Sequence, residues 1–270
     1  MKKLGGAIAM ILCFLQGCTT FKTEDPMAGS KLPAVHKYYH SRQGEMHFVA
    51  VGDSTLPPVL FVHGSPGEWD NYSGFLKDSV LQKKAYLLSV DRPGFGESGD
   101  MAVKTLADQV EALLPIMKYQ NQKVILVGHS LGGPIVVRFA MAHPEYVRGL
   151  VLAAASVSPE LEPTNWYRYI LGAPPVRWFI PRSFESSNDE LLPLKKELKK
   201  MADSWDKVKC PVVVIQGGSD VLVPAENADY IEKKLEGRVP LTMIRKKSMN
   251  HFIPWSDPDI IRSGIQLLLK

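Results

Sequence analysis

The pentapeptide Gly128-His129-Ser130-Leu131-Gly132 constrains this chain more than any other segment. An apolar run, Val124-Ile125-Leu126-Val127, leads into it, and a helix-like stretch from Gly133 to Ala142 leads out. A serine held between a strand and a helix in so short a turn needs small neighbours. Glycine stands at both flanks, and Gly133 adds a third small residue for close packing. This is G-x-S-x-G in the strand–turn–helix setting of a nucleophile elbow. Such a turn lifts the Ser130 hydroxyl above the edge of a sheet. It also seats it at a helix N-terminus, near backbone N–H groups and the positive end of the helix dipole.

The rest of the chain supplies a sheet for that turn. Apolar runs of strand length lie at 35–41, 46–51, 58–62, 85–90, 123–127, 148–153, 211–216 and 240–244. The first two, split by Gly44, read as an antiparallel hairpin. Helical patterns alternate with the later runs at 69–80, 104–119, 132–142, 225–235 and 258–269. In the second of these, Leu106, Val110, Leu113 and Met117 recur at three or four residues and form one apolar stripe, with Pro115 expected to disturb the last turn. Strands alternating with helices imply βαβ units and a mostly parallel sheet. Residues 156–209 break the alternation. They carry Trp166, Tyr167, Tyr169, Trp178, Phe179, Phe184 and Trp205 among several prolines. So long a structureless loop is improbable in one domain, so the segment reads as a short helical cap between two core strands. Its aromatics are either a lining for an acyl or leaving-group pocket or the cap's own core.

The N-terminus reads as a targeting segment. Lys2 and Lys3 precede an apolar stretch from Leu4 to Leu15, shorter than the about 20 residues of a spanning helix. Leu15-Gln16-Gly17-Cys18 resembles the lipobox of bacterial lipoproteins, in which a signal is removed before a cysteine that then carries acyl chains such as palmitate. An ordinary secretory site would favour a small residue at −3, where Leu15 stands. The expected organisation is a signal peptide at 1–17, a lipidated Cys18 with a flexible tether to residue 33, and one domain at 34–270. The implied location is a bacterial cell envelope, with the membrane reached through the Cys18 anchor. Thr19 in place of aspartate leans toward the outer membrane where there are two. Cys13 leaves with the signal, so Cys210 is the one thiol left and no internal disulfide can form. Cys210 opens an apolar strand and reads as a small buried residue. The formal charge of +4, without basic runs interleaved with aromatics, gives no support to nucleic-acid binding.

A serine hydroxyl is a weak nucleophile that needs a base, and the base needs an orienting acid. In elbow enzymes these follow in the order serine, acid, histidine. Asp220 ends the turn Gly217-Gly218-Ser219-Asp220 after the apolar run 211–216, which places it at the carboxyl edge of a parallel strand. His251, in Asn250-His251-Phe252, is the only histidine beyond it. The alternative reading of Asp220 is a turn-forming residue or helix cap. His129 reads as packing in the elbow, and His63 as structural. His36, His40 and His47 lie on the opening hairpin. The oxyanion of an attacked carbonyl needs backbone donors. The N–H of Leu131 and that of Ser65, in His63-Gly64-Ser65-Pro66-Gly67, are the expected pair, since Pro66 has no N–H.

These motifs, with Asp91-Arg92-Pro93-Gly94-Phe95-Gly96-Glu97-Ser98, resemble those of α/β-hydrolase-fold enzymes from the end of the tether onward. The resemblance implies an eight-stranded, mostly parallel sheet flanked by helices, with a cap after the sixth strand. It implies an acyl-enzyme mechanism with no metal or organic cofactor, and no H-E-x-x-H or Cys/His cluster spacing contradicts that. Serine at the nucleophile position argues against the epoxide hydrolase and haloalkane dehalogenase branches, which use aspartate. The H-G-S-P-G and D-R-P-G-x-G-x-S blocks also resemble prolyl aminopeptidase-like members. That branch needs acids for a substrate amine, and the sequence does not place Glu160, Glu162 or Glu185 at such a spot. The expected substrate is a small carboxylic ester or thioester. Amide or terminal-peptide cleavage by the same triad is one alternative, and a non-catalytic binding lipoprotein on the same scaffold is another.

Overall fold

Period-two alternation within single strands sorts the apolar residues onto two faces of one sheet. In the third strand, Leu60 and Val62 pack with Val110, Leu113, Ile135 and Phe139, while Val59 and Phe61 pack with Trp69, Tyr72, Phe75, Ile261 and Ile265. A strand buried on both faces must read as a continuous apolar run, and this one is Pro-Val-Leu-Phe-Val. The computed structural model describes residues 25–99, 102–163, 167–174 and 176–270. The expected signal segment, Cys18 and Trp166 lie outside them.

The eight strands are β1 (Ala34–Ser41), β2 (Gly44–Val51), β3 (Pro58–Val62), β4 (Tyr86–Val90), β5 (Val124–His129), β6 (Val147–Ala153), β7 (Val212–Gly217) and β8 (Leu241–Lys246). Their order across the sheet is β1-β2-β4-β3-β5-β6-β7-β8. The β1–β2 and β2–β4 pairs are antiparallel and the remaining pairs are parallel. The eight strand predictions therefore hold, and the fold class with them. Each main helix also falls where its pattern places it, with one exception. The pattern at 69–80 predicts a single helix, but the chain forms a 3₁₀ turn at Trp69–Tyr72 and short helices at Ser73–Leu76 and Ser79–Gln82. Asp78 causes the second break. Its side chain caps the new start by accepting from the N–H groups of Val80 and Leu81.

Pro115 does not interrupt its helix, which runs from Leu106 to Lys118. So near the C-terminal end, proline removes one N–H, and the Tyr119 N–H still reaches the Pro115 carbonyl at 3.1 Å. The helix starts on Thr105, whose Oγ1 accepts from the Asp108 N–H at 3.0 Å. Part of the stretch read as a tether lies against the domain: residues 26–29 form turns, and Met27 is buried beside β2 and β3 residues. No helix among the described residues is long and apolar enough to cross a membrane.

Between β6 and β7 the chain inserts helices at Tyr167–Leu171, Arg182–Leu191 and Leu194–Met201. Its aromatics divide. Trp205 is buried in the core against Tyr230, whereas Trp178 is 75% and Phe179 83% exposed, which removes those two from any packed interior. One charge pair ties the insertion to the body. Arg92 and Glu190, both buried, form a two-pronged pair, with Nη2 2.9 Å from Oε1. Gln109 adds a hydrogen bond to Glu190 at 3.1 Å. Breaking a buried pair from one side leaves the other charge unsatisfied and costs about 3–5 kcal/mol. Glu190→Ala should lower the unfolding free energy by about that amount in urea titration, well beyond the effect of substituting a surface glutamate.

Candidate active site

The elbow forms as its glycines require. A Cβ on Gly128 would lie 2.5 Å from the Gly132 carbonyl oxygen, and one on Gly132 would lie 2.2 Å from that of Val62. Only hydrogen fits where strand, turn and helix touch. Ser130 itself takes φ +54°, a left-handed conformation that a residue with a side chain adopts at a cost of about 1–3 kcal/mol. Three hydrogen bonds hold it there. Its N–H donates to the Ala153 carbonyl at 3.0 Å, and its own carbonyl accepts from Gly133 at 3.0 Å and Ser156 at 3.3 Å. The helix Gly132–Ala142 begins immediately after, so the hydroxyl sits at its N-terminal end.

Asp220 and His251 meet because the ends of β7 and β8 are stitched together. The Gly218 N–H reaches the Lys246 carbonyl at 3.1 Å and the Ser219 N–H that of Met249 at 3.0 Å. His251 Nδ1 then lies 2.9 Å from Asp220 Oδ2. Asp220 Oδ1 accepts from the N–H groups of Leu222 at 2.9 Å and Val223 at 2.8 Å. One oxygen of this aspartate therefore shapes the turn while the other faces the imidazole. Burial pushes the Asp220 carboxyl up, but the bond and charge of His251 and the two backbone donors outweigh it. The carboxyl is held below its ordinary value. An ionised Asp220 can only accept, so His251 Nδ1 carries the proton and Nε2 presents a lone pair.

Ser130, Asp220 and His251 all follow the carboxyl ends of parallel strands, on one edge of the sheet. Asp220 and His251 are hydrogen-bonded; the Ser130 hydroxyl and His251 are not. His129 links the elbow to His251. Its ring lies 4.8 Å from the His251 ring, and its Nε2 donates to the His251 carbonyl at 2.9 Å. Burial, reinforced by His251, pushes the His129 imidazole down to about 3, so it stays neutral and keeps that bond.

On the facing loop, Gly64 lies so close that a Cβ there would stand 3.0 Å from the Ser130 Cβ. His63 fixes the loop. Its Nδ1 donates to the Gly64 carbonyl at 2.7 Å, and its Nε2 accepts from the Arg92 N–H at 3.0 Å. Burial and the Arg92 charge hold it well below the usual histidine range, as a structural, neutral ring requires. The backbone N–H groups of Ser65 and Leu131 have no hydrogen-bond partner among the described residues, and the Ser65 hydroxyl is also buried without one. Cys210 is buried, which pushes its thiol up to about 11, a poor nucleophile.

Sequence reasoning missed Glu190. Glu190 anchors Arg92 beneath the His63 loop, a contact between residues nearly a hundred positions apart for which no local pattern exists. Asp91 accepts from the N–H groups of Trp69 at 2.7 Å and Glu97 at 3.0 Å and pairs with His47 at 2.7 Å.

A family model described as the alpha/beta hydrolase fold matches residues 57–186. An sn-1-specific diacylglycerol lipase of Danio rerio is 30% identical over 155 residues, which are 56% of this chain and 48% of that protein. The chain thus spans about half the length of that relative. A solved membrane phospholipase A, described as a bacterial virulence factor, superposes with a TM-score of 0.67 at 18% identity, over all of this chain and 98% of that one. An epoxide hydrolase from Vigna radiata superposes with a TM-score of 0.69 at 17% identity, over 87% of this chain and 97% of that one.

The lowered Asp220 carboxyl has a consequence for stability. A group depressed in the folded state stabilises it above the unfolded value, about 3.9 for aspartate, and loses that contribution as pH falls through the folded value. The difference in unfolding free energy between wild type and Asp220→Asn should therefore be flat above that range and shrink below it, read by denaturation at a series of acid pH values. Sheet order, elbow and family match together give one conclusion: this chain has the alpha/beta hydrolase fold.

Proposed function

We propose that this protein is a serine hydrolase that cleaves carboxylic esters or thioesters through an acyl-enzyme on Ser130. The observation that carries the reading is the 2.9 Å pair of His251 and Asp220 on the same sheet edge as a serine strained into an elbow. The similarity to a diacylglycerol lipase supports ester hydrolysis in general. In the proposed reaction His251 Nε2 takes the Ser130 proton as Oγ attacks the carbonyl carbon. The carbonyl oxygen becomes an oxyanion that the N–H groups of Leu131 and Ser65 stabilise. The tetrahedral adduct collapses, and the alcohol or thiol leaves with the proton from His251. Water then attacks the acyl-enzyme with His251 as base, and the acid departs as Ser130 regains its proton. The Ser130 hydroxyl and His251 Nε2, not bonded in the free protein, come into hydrogen-bond distance when substrate orders the site, a common difference between free and occupied enzymes.

A second reading, cleavage of amides or N-terminal residues, is favoured by one contact. Glu162 accepts from the Ser156 hydroxyl at 2.6 Å, and Ser156 in turn donates to the Ser130 carbonyl. That brings a half-buried carboxyl to the elbow, where it could meet a substrate amine. Glu160 and Glu185 are engaged by Ser158 and Arg177. A fluorophosphonate probe should label the protein at Ser130 and spare Ser130→Ala. Short p-nitrophenyl esters should turn over and aminoacyl anilides should not. Asp220→Asn should cut kcat by about 10⁴-fold, the order found for misorienting the histidine of a triad. A folded protein that resists the probe would leave the binding-scaffold alternative.

The proposal includes a lipid anchor at Cys18 and a place in the bacterial cell envelope. Its support is the lipobox-like Leu15-Gln16-Gly17-Cys18 behind a short apolar run. The mature chain expressed in a bacterium should start at Cys18, carry acyl mass there and fractionate with membranes. Cys18→Ser should abolish both the added mass and the membrane association.

A further inference from the structure

The opening hairpin and the Asp91–Ser98 loop bring together three side chains that the proposed reaction does not use. In the β1–β2 register His36 faces Val49 and Tyr38 faces His47, so His36 and His47 are diagonal neighbours on one face. Their rings stack 5.1 Å apart, and His36 Nδ1 lies 2.9 Å from His47 Nε2. His47 is wholly buried, with Nδ1 2.7 Å from Asp91 Oδ2. Asp91 already accepts two backbone N–H groups, so its carboxylate is an acceptor and His47 Nδ1 holds the proton. His47 Nε2 therefore turns a lone pair toward His36. Glu97 completes the group: its Oε1 lies 3.8 Å from His36 Nδ1 and 4.0 Å from His47 Nε2. Tyr38 donates its hydroxyl to the other oxygen of Glu97 and turns Oε1 inward.

These three atoms lie close to the spacing of a coordination face. A triangle with sides of 2.9, 3.8 and 4.0 Å has its equidistant point in its own plane, about 2.1 Å from each corner and so at a Zn²⁺ bond length, and side-chain shifts of about half an ångström would even the sides and lift the ion out of the plane into tetrahedral geometry. We propose that His36, His47 and Glu97 form a binding site for a divalent transition metal, with Zn²⁺ the ion that two imidazoles and one carboxylate suit. Asp91 supplies the carboxylate behind a ligating histidine that such sites characteristically carry, fixing its tautomer and orientation. The side chains of His36 and Glu97 are 44% and 52% exposed, so solvent reaches the remaining coordination position. The ion would join β1, β2 and the loop that delivers Arg92 to the His63 turn. Its role is to staple that loop, not to take part in ester cleavage. Without an ion the same atoms make a hydrogen-bonded chain in which His36 Nδ1 donates to His47 Nε2, and experiment separates the two.

The full chain, stripped with chelator, is titrated with Zn²⁺ by calorimetry and melted with and without the ion. The expected result is one saturable site per chain with a rise in Tm. His36→Gln and Glu97→Gln should each weaken binding at least about tenfold and abolish the rise. Both residues are partly exposed, so these variants should keep the wild-type circular dichroism. Cobalt(II) in the same site should show visible bands of nitrogen and oxygen ligation without a thiolate charge-transfer band. Absence of stoichiometric binding, or undiminished affinity in both variants, would overturn the site and leave the hydrogen-bonded chain.

Discussion

Everything in this fold is arranged around a serine whose backbone is left-handed. At φ +54° Ser130 sits where strand β5 must stop and a helix must begin within a residue or two. That geometry is possible only because Gly128 and Gly132 have no side chains to collide with the helix start and with β3. The neighbouring strand pays the conformational cost through the Ala153 carbonyl that receives the Ser130 N–H. A central position in the sheet is what allows this. β5 is held by β3 on one side and β6 on the other, so the strain is spread over a rigid layer.

Around the elbow, buried polar pairs hold loops that the apolar core cannot reach. Arg92 binds the His63 and Gly64 carbonyls and Glu190, and so connects the floor of the site to the inserted helices. Asp91 gathers the Trp69 and Glu97 backbones and His47. His129 stays neutral and grips the His251 main chain. Arg92 and Asp91 are costly to bury and are held by several hydrogen bonds at once, the condition under which buried polar groups specify one arrangement. These contacts leave the Ser65 and Leu131 amides unpaired among the described residues, on the two sides of the elbow where a developing negative charge would need them.

The sheet and its order of helices were legible in the sequence because burial on both faces leaves uninterrupted apolar runs, and burial on one face leaves a helical stripe. Both are local signals. Ser130, Asp220 and His251 were legible because each stands in a short motif with its own glycine or loop context. What was not legible depends on contacts between distant segments. Glu190 is one acid among several on a polar helix, and only the fold brings it to Arg92. The three-residue group at His36, His47 and Glu97 draws on two strands and a loop, so no ligand spacing appears along the chain. Met27 looked like part of a polar tether and is instead packed in the core. The break in the helix pattern at Asp78 was readable in principle, since aspartate before Ser79 and Val80 is a helix-start signal.

The proposed chemistry needs Ser130 Oγ as nucleophile, His251 as its base and the Ser65 and Leu131 amides at the developing oxyanion. A crystal structure of the protein after reaction with a small alkyl phosphonate tests it directly. Phosphorus should be bonded to Ser130 Oγ, with a phosphonyl oxygen about 2.7–3.1 Å from the Ser65 and Leu131 nitrogens and His251 Nε2 within hydrogen-bond distance of Ser130 Oγ. An unmodified Ser130 in folded protein, or an adduct whose oxygen meets neither amide while His251 stays out of reach, would contradict it.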